Sequence, residues 1–245
     1  MEGPRRSSPT DVHVRGAAVT DPAVVLVHGF ATSADRTWRD NGWIDLLADA
    51  GREVVAPDLL GHGTNDKPHD PAAYNLLEDD LLAVLPADPF DAIGFSLGAR
   101  VLLDLASRYP TRFRRLVVAG VGANLFRDDD PELIAQAILG EGPTENPVGQ
   151  HFRALASDPE SDPQALVAYL RRDGHRPLSD EALAQVTLPV LVVLGDRDFA
   201  GPADPLVARL PDATLVTLPG IDHFATPKQF GFIDAAFDFI GASPG

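Results

Sequence analysis

Six short apolar runs constrain this chain more than anything else in it: "AVVLVHG" (23–29), "EVVAPD" (53–58), "FDAIGF" (90–95), "RRLVVAG" (114–120), "PVLVVLG" (189–195) and "ATLVTLPG" (213–220). They are runs of Val, Leu, Ile and Ala rather than strict apolar–polar alternations, which is how strands covered on both faces read. Between them lie segments of helical spacing. After Ser96, the residues Gly98, Val101, Leu102, Leu105 and Tyr109 share one helix face. The stretches 36–50, 74–85, 203–210 and 227–240 also read as helices. Strand and helix in alternation predict an α/β fold with a mostly parallel central sheet and helices on both faces. "DVHVRG" (11–16) alternates more clearly and suits an edge strand that can run antiparallel.

The rhythm stops between Leu125 and Thr187. No strand is evident there, and prolines at 131, 143, 147, 159, 163 and 177 separate short stretches that can each be helical. A structureless loop of that length is rare inside a compact domain. The expected division is therefore a core of residues 11–124 and 188–245, a small helical lid at 125–187, and a flexible tail at 1–10. Because the lid leaves one strand and returns to the next, it should cover the carboxyl end of the sheet, where open α/β sheets bind ligands. Its Leu125, Phe126, Leu133, Ile134, Ile138, Leu139, Phe152, Leu155, Leu166 and Tyr169 suffice to roof an apolar pocket, although most should form the lid's own core. "DDDP" (128–131) reads as a solvated turn that starts a helix.

Composition narrows the function. The chain has no cysteine, which excludes disulfides, thiolate catalysis and cysteine-ligated metal sites. A formal charge of −16 repels phosphate backbones and anionic lipid, so neither nucleic acid nor a membrane is an expected partner. The start "MEGPRRSSPTDVHV" has no apolar segment behind its arginines, and the expected location is cytoplasmic. Seven histidines show no metal-ligand spacing; no metal and no cofactor is implied.

Chemistry concentrates around Gly94-Phe95-Ser96-Leu97-Gly98. A serine hydroxyl attacks a carbonyl only if a base takes its proton and the backbone thrusts it forward. A sharp turn from strand into helix does the second, and glycines two residues either side relieve the crowding. Read alone, the same five residues can simply make a tight turn.

Other strand ends supply matching parts. The oxyanion formed by such an attack needs donors already in place. The backbone N–H of Leu97 is one candidate, and that of Phe30 in "LVHGFATS" (26–33) is the second. Where a serine sits at such an elbow, the acid and then the histidine follow in chain order. "LGDRDFAGP" (194–202) offers Asp196 and Asp198; Asp198 is preferred because it lies on the loop proper, while both can equally serve the turn. Only His223, in "LPGIDHFAT" (218–226), follows both the serine and the acid at a strand end. His28 and His62 read as members of their turns, and His13, His69, His151 and His175 carry no argument.

With "VHGF", "PDLLGHG", "GFSLGA", "LGDRD" and "DHF" in this order, the chain resembles the α/β-hydrolase superfamily, and most closely its small lidded esterase-like members. The resemblance runs from about Val12 to Ile240 and places the lid after the sixth strand of the family's usual set. It implies Ser96 as nucleophile, His223 as general base and acid, Asp198 as the residue that orients the imidazole, and Phe30 and Leu97 as oxyanion amides. Phe95 stands where many relatives carry His, and Asn65 where Ser often follows the Gly-His-Gly turn. The short N-terminal region suggests one strand fewer at the sheet edge. A serine at the elbow argues against the epoxide-hydrolase and haloalkane-dehalogenase branches. The implied activity is hydrolysis of a small, largely apolar carboxylic ester by a monomer or homodimer. Thioesterase, lactonase, perhydrolase, carbon–carbon hydrolase and lyase chemistry, or a non-catalytic small-ligand receptor, are the alternatives.

Overall fold

Strand β2 (Val24–Val27) lies inside a sheet whose other strands are β1 (His13–Val14), β3 (Val54–Val55), β4 (Phe90–Phe95), β5 (Phe113–Ala119), β6 (Val190–Gly195) and β7 (Ala213–Leu218). The computed structural model describes residues 13–14, 21–127, 130–141, 147–173 and 178–242. The expected tail at 1–10 lies outside them, as do Pro143, His175 and Pro177. Among the described residues the strand order is β1-β3-β2-β4-β5-β6-β7, with β1 antiparallel to β3 and every other pair parallel. The chain thus steps from β2 to one side for β3 and returns to the other side for β4. That reversal opens a crevice at the carboxyl ends of β2 and β4, which pair through Val27 and Gly94.

Alternate residues of each central strand serve opposite faces. Val25, Val27, Leu116, Val118, Val190 and Val192 join one buried cluster with helices α2 (Leu77–Val84) and α3 (Leu97–Arg108). Val24, Leu26, Val117, Leu191 and Val193 join a second with α1 (Trp43–Asp49) and α9 (Phe230–Ile240). All residues of β2, β4 and β6 are buried, which is why the sequence shows continuous apolar runs instead of alternation.

Several elements are shorter than their sequence patterns suggest. The predicted helix over 36–50 splits into a five-residue turn (Asp35–Arg39) and α1, separated by Gly42 at φ 80°. The Asn41 side chain donates to the carbonyls of Arg36 and Thr37 (3.1 and 3.0 Å), which stops the helix there. Only Val54–Val55 of the run 53–58 joins the sheet, and helix α8 covers Asp204–Val207 alone. Helix α9 starts at Phe230, after a short turn at Thr226–Lys228.

Between β5 and β6 lie α4 (Pro131–Leu139), α5 (Pro147–Ala156), α6 (Pro163–Leu170) and α7 (Asp180–Ala184). Pro131, Pro147 and Pro163 start α4, α5 and α6 rather than break them, because the first helical position needs no N–H. The side chains of Asp130 and Asp162 cap α4 and α6 by accepting from the amides of Glu132 and Gln164 (2.9 Å each). This insertion is tied together by the Arg171–Glu132 fork and tied to the core by Arg36–Asp158 (2.8 Å) and His69–Asp162 (2.9 Å). No helix among the described residues is long and apolar enough to cross a membrane.

At the opposite end of the sheet, the buried Arg52 guanidinium reaches Asp91 in β4 (2.5 Å), the carbonyl of Pro22 ahead of β2, and the carbonyl of Ile240 ending α9. Removing one partner strands the other charge. Asp91→Leu should lower stability by about 3–5 kcal/mol in urea denaturation, and adding Arg52→Met should restore much of it. A single variant of unchanged stability would show that the pair carries no structural role.

Candidate active site

The turn between β4 and α3 sets the geometry. Ser96 has φ 52° and ψ −110°, a strained backbone for a residue with a side chain, costing about 1–3 kcal/mol. Its two flanking glycines are required by contact rather than by their own torsions. A Cβ on Gly94 would lie 2.7 Å from the backbone of Ala99, and one on Gly98 would run into the carbonyls of Val27 and His28. Helix α3 therefore begins flush against the carboxyl end of β2, with the hydroxyl of Ser96 lifted above the sheet.

His223 meets it from the loop after β7. Its Nε2 lies 3.0 Å from Ser96 Oγ, and its Nδ1 lies 2.9 and 3.0 Å from the two carboxylate oxygens of Asp198. With Nδ1–H donating to the carboxylate, Nε2 is the free acceptor for the serine proton. Asp198 and His223 are both buried, and Ser96 is half-exposed to the cleft. Asp198 also accepts the amide of Ala200 (2.8 Å). Asp196 is exposed and does something else: it accepts the amide of Gly220 at 2.7 Å, while the Arg197 amide donates to Ile221. These bonds latch the loop after β6 to the loop that carries His223.

Rings hold the imidazole from several sides. Phe95 lies 5.0 Å and Phe199 4.3 Å from it between centroids, with Phe224 edge-on at 5.2 Å. Gly120, at the end of β5, has φ 69°, and a Cβ there would come within 2.7 Å of Phe95 and 3.1 Å of His223. The residue before Ser96 is thus a packing surface for the imidazole.

The candidate donors lie beside Ser96. Gly29 abuts it, since a Cβ there would sit 3.5 Å from Ser96 Cβ, and Phe30 follows directly. Leu97 N–H belongs to the first turn of α3, which has no intrahelical acceptor. Neither amide donates to another group among the described residues.

A cleft of about 130 Å³ opens at Ser96 and His223. Phe30, Phe152, Leu155 and Phe224 give it an apolar wall, and Thr32, Arg36, Asn41 and Lys228 a polar mouth. Of the apolar residues expected to roof a pocket, Phe152 and Leu155 of α5 line it, whereas Leu125, Ile138, Leu166 and Tyr169 are buried and Leu133 is exposed. His151, for which the sequence offered no argument, also lines the cleft and stacks on Phe224 at 3.4 Å. Burial lowers its pKa, opposed by nearby Asp222 and reinforced by His223. Its place on α5 beside Phe152 is the only sequence signal that pointed inward.

Residues 22–140 match the family described as alpha/beta hydrolase fold. Over 230 residues the chain is 31% identical to a pimeloyl-[acyl-carrier protein] methyl ester esterase of Neisseria meningitidis, covering 82% of this chain and 85% of that one. The chain belongs to the α/β-hydrolase family. A shorter match, 39% identical over 108 residues, links it to an uncharacterized protein of Mycobacterium tuberculosis; it spans 43% of this chain and only 30% of that protein. Among solved structures, a hydrolase from Pseudomonas aeruginosa PA01 superposes with a TM-score of 0.66 at 26% identity, covering 94% of this chain and 93% of that one.

In this α/β-hydrolase the two remaining buried histidines among the described residues brace the loops. His28 Nε2 accepts the Leu59 amide (3.0 Å), so its Nδ1–H donates to the carbonyl of Gly29 (2.7 Å) and the ring is neutral. His62 contacts Leu60 O through Nδ1 (3.0 Å) and packs edge-on against Phe30. Burial lowers both pKa values, that of His62 to about 3 with His28 adding to the effect. The unfolded chain takes up these protons below about 6.5 while the fold does not, so stability present above pH 6.5 is lost as pH falls towards 3. His62→Asn should flatten the dependence of unfolding free energy on pH between 6 and 4 by up to one proton, about 1.4 kcal/mol per pH unit. An unchanged slope would mean that His62 is protonated in the folded protein.

Proposed function

We propose that the protein is a serine carboxylic ester hydrolase. The observation that carries this reading is the unbroken hydrogen-bonded path from Asp198 through His223 to Ser96, ending in a partly apolar cleft. Ser96 Oγ attacks the ester carbonyl as His223 Nε2 takes its proton, and the Phe30 and Leu97 amides face the developing oxyanion. The carbon–oxygen bond to the alcohol then breaks, the alcohol leaves with the proton from His223, and the acyl group stays on Ser96. Water, deprotonated by the same imidazole, releases the acid and restores the serine. Asp198 keeps the imidazole in the tautomer that this cycle needs.

A cavity near 130 Å³ is close in size to engineered cavities that admit benzene, so it suits short acyl or alcohol groups. The insertion of α4–α7 would act as the lid over that cleft, with α5 as its inner surface. The esterase from Neisseria meningitidis supports ester cleavage as the reaction class.

Ser96→Ala, His223→Ala and Asp198→Asn should each lower kcat/KM for short p-nitrophenyl esters by at least about a thousandfold. Asp196→Asn, whose amide oxygen can still accept from the Gly220 N–H, should stay within about tenfold of wild type. A fluorophosphonate should label the wild type and not Ser96→Ala. Absence of both turnover and labelling in folded protein would overturn the proposal, and a loss confined to Asp196→Asn would overturn the choice of acid.

A further inference from the structure

The cleft has a charge pattern opposite to that of the whole molecule. The chain carries −16, yet no Asp or Glu lines the cleft among the described residues, while Arg36 and Lys228 do. Both cations come from loops that already supply the site: Arg36 from the turn after the Phe30 loop, Lys228 from the turn after the His223 loop. The two turns pack on each other. The second is pinned in place, because buried Trp43 donates its Nε1–H to Pro227 O (2.8 Å) and buried Thr226 donates its hydroxyl to Asp222 O (3.0 Å). Arg36 is already paired with Asp158 of the insertion at 2.8 Å. Among the described residues no carboxylate pairs with the Lys228 ammonium.

We propose that Lys228, supported by Arg36, is an anion-recognition subsite, so that preferred substrates combine an apolar segment with a carboxylate or phosphate near the ester. This rests on the hydrolase reading above. The apolar part lies against Phe152, Leu155 and Phe224, and the anionic end turns to the mouth, where Thr32 and Asn41 add neutral polar groups. An anion approaching a strongly acidic protein is repelled everywhere except at such a local reversal of sign. Lys228 is exposed, so its contribution is partly screened and falls with added salt.

The test compares anionic esters with neutral esters of similar chain length: monomethyl glutarate with methyl pentanoate, carboxymethyl butanoate with propyl butanoate, and phosphoethyl butanoate with butyl butanoate. The first two pairs place a carboxylate on the acyl or the alcohol side, and the third replaces it by phosphate. In at least one pair, wild-type kcat/KM should favour the anionic ester by about tenfold at low salt. Lys228→Gln should abolish that preference and Lys228→Glu reverse it, the loss in kcat/KM falling more heavily on the anionic ester of the pair. Arg108→Gln, at the far end of α3, alters net charge as much as Lys228→Gln does and should leave the preference intact. Turnover of neutral esters with no anionic preference in any pair, or a preference that survives Lys228→Glu, overturns the subsite alone. No turnover of any of the esters overturns the subsite, and absence of fluorophosphonate labelling as well overturns the hydrolase reading with it.

Discussion

The first turn of α3 packs against the last carbonyls of β2 so closely that only a residue without a Cβ fits at Gly98. Gly94 is fixed by the same approach from the other side, under Ala99. With both ends pinned, the chain between them has one way to turn, and Ser96 takes the strained torsions that this turn demands. A strain of about 1–3 kcal/mol persists only where the surroundings over-determine it. Here they do: β2 and β4 are wholly buried and paired along their length. The strain lifts the hydroxyl into the crevice where the strand order reverses.

From that fixed point the rest of the site follows by loop placement. Strand β7 ends beside β6, and the Asp196–Gly220 bond holds their loops in step, so that Asp198 and His223 meet 2.9 Å apart. The two acidic residues of "GDRD" thereby divide the work between holding the loop and holding the imidazole. Rings on several sides, with Gly120 leaving room for them, keep His223 aimed at Ser96. On the first loop, His28 and His62 do for Phe30 what Asp196 does for His223. Their neutrality follows from burial, so they support backbone without putting charge beside the cleft.

The insertion adds what the sheet lacks, a wall opposite the nucleophile. Its helices α4, α5 and α6 each begin with a proline, and two ionic contacts at the surface, Arg36–Asp158 and His69–Asp162, link it to the core. Contacts of that kind are individually weak. More of its hold comes from packing, with Tyr169 set against Phe30 and Tyr74. The insertion adds Phe152 and Leu155 to an apolar wall that Phe30 and Phe224 build from the core loops.

Much of this was legible in the residues. Doubly covered strands write themselves as unbroken Val, Leu and Ile, so the sheet and its mostly parallel character could be read directly, "DVHV" read as an edge strand able to run antiparallel, and the order of Ser96, Asp198 and His223 at the ends of three strands located the candidate site. Helix boundaries were less legible, because Asn41 and Gly42 interrupt the 36–50 pattern through a side-chain bond and a left-handed torsion that periodicity does not register. Gly120, Arg36 and Lys228 gave no local signal. Their importance comes from long-range approach: a glycine is needed at 120 because a histidine from residue 223 arrives there, and a surface lysine becomes part of a cleft only because Trp43 pins its turn. The sequence by itself determined the elements and the chemical types at their ends, since those depend on local pattern and burial. Which side chains share one cavity was decided only by the tertiary structure, because contact between distant segments is set by how the layers pack.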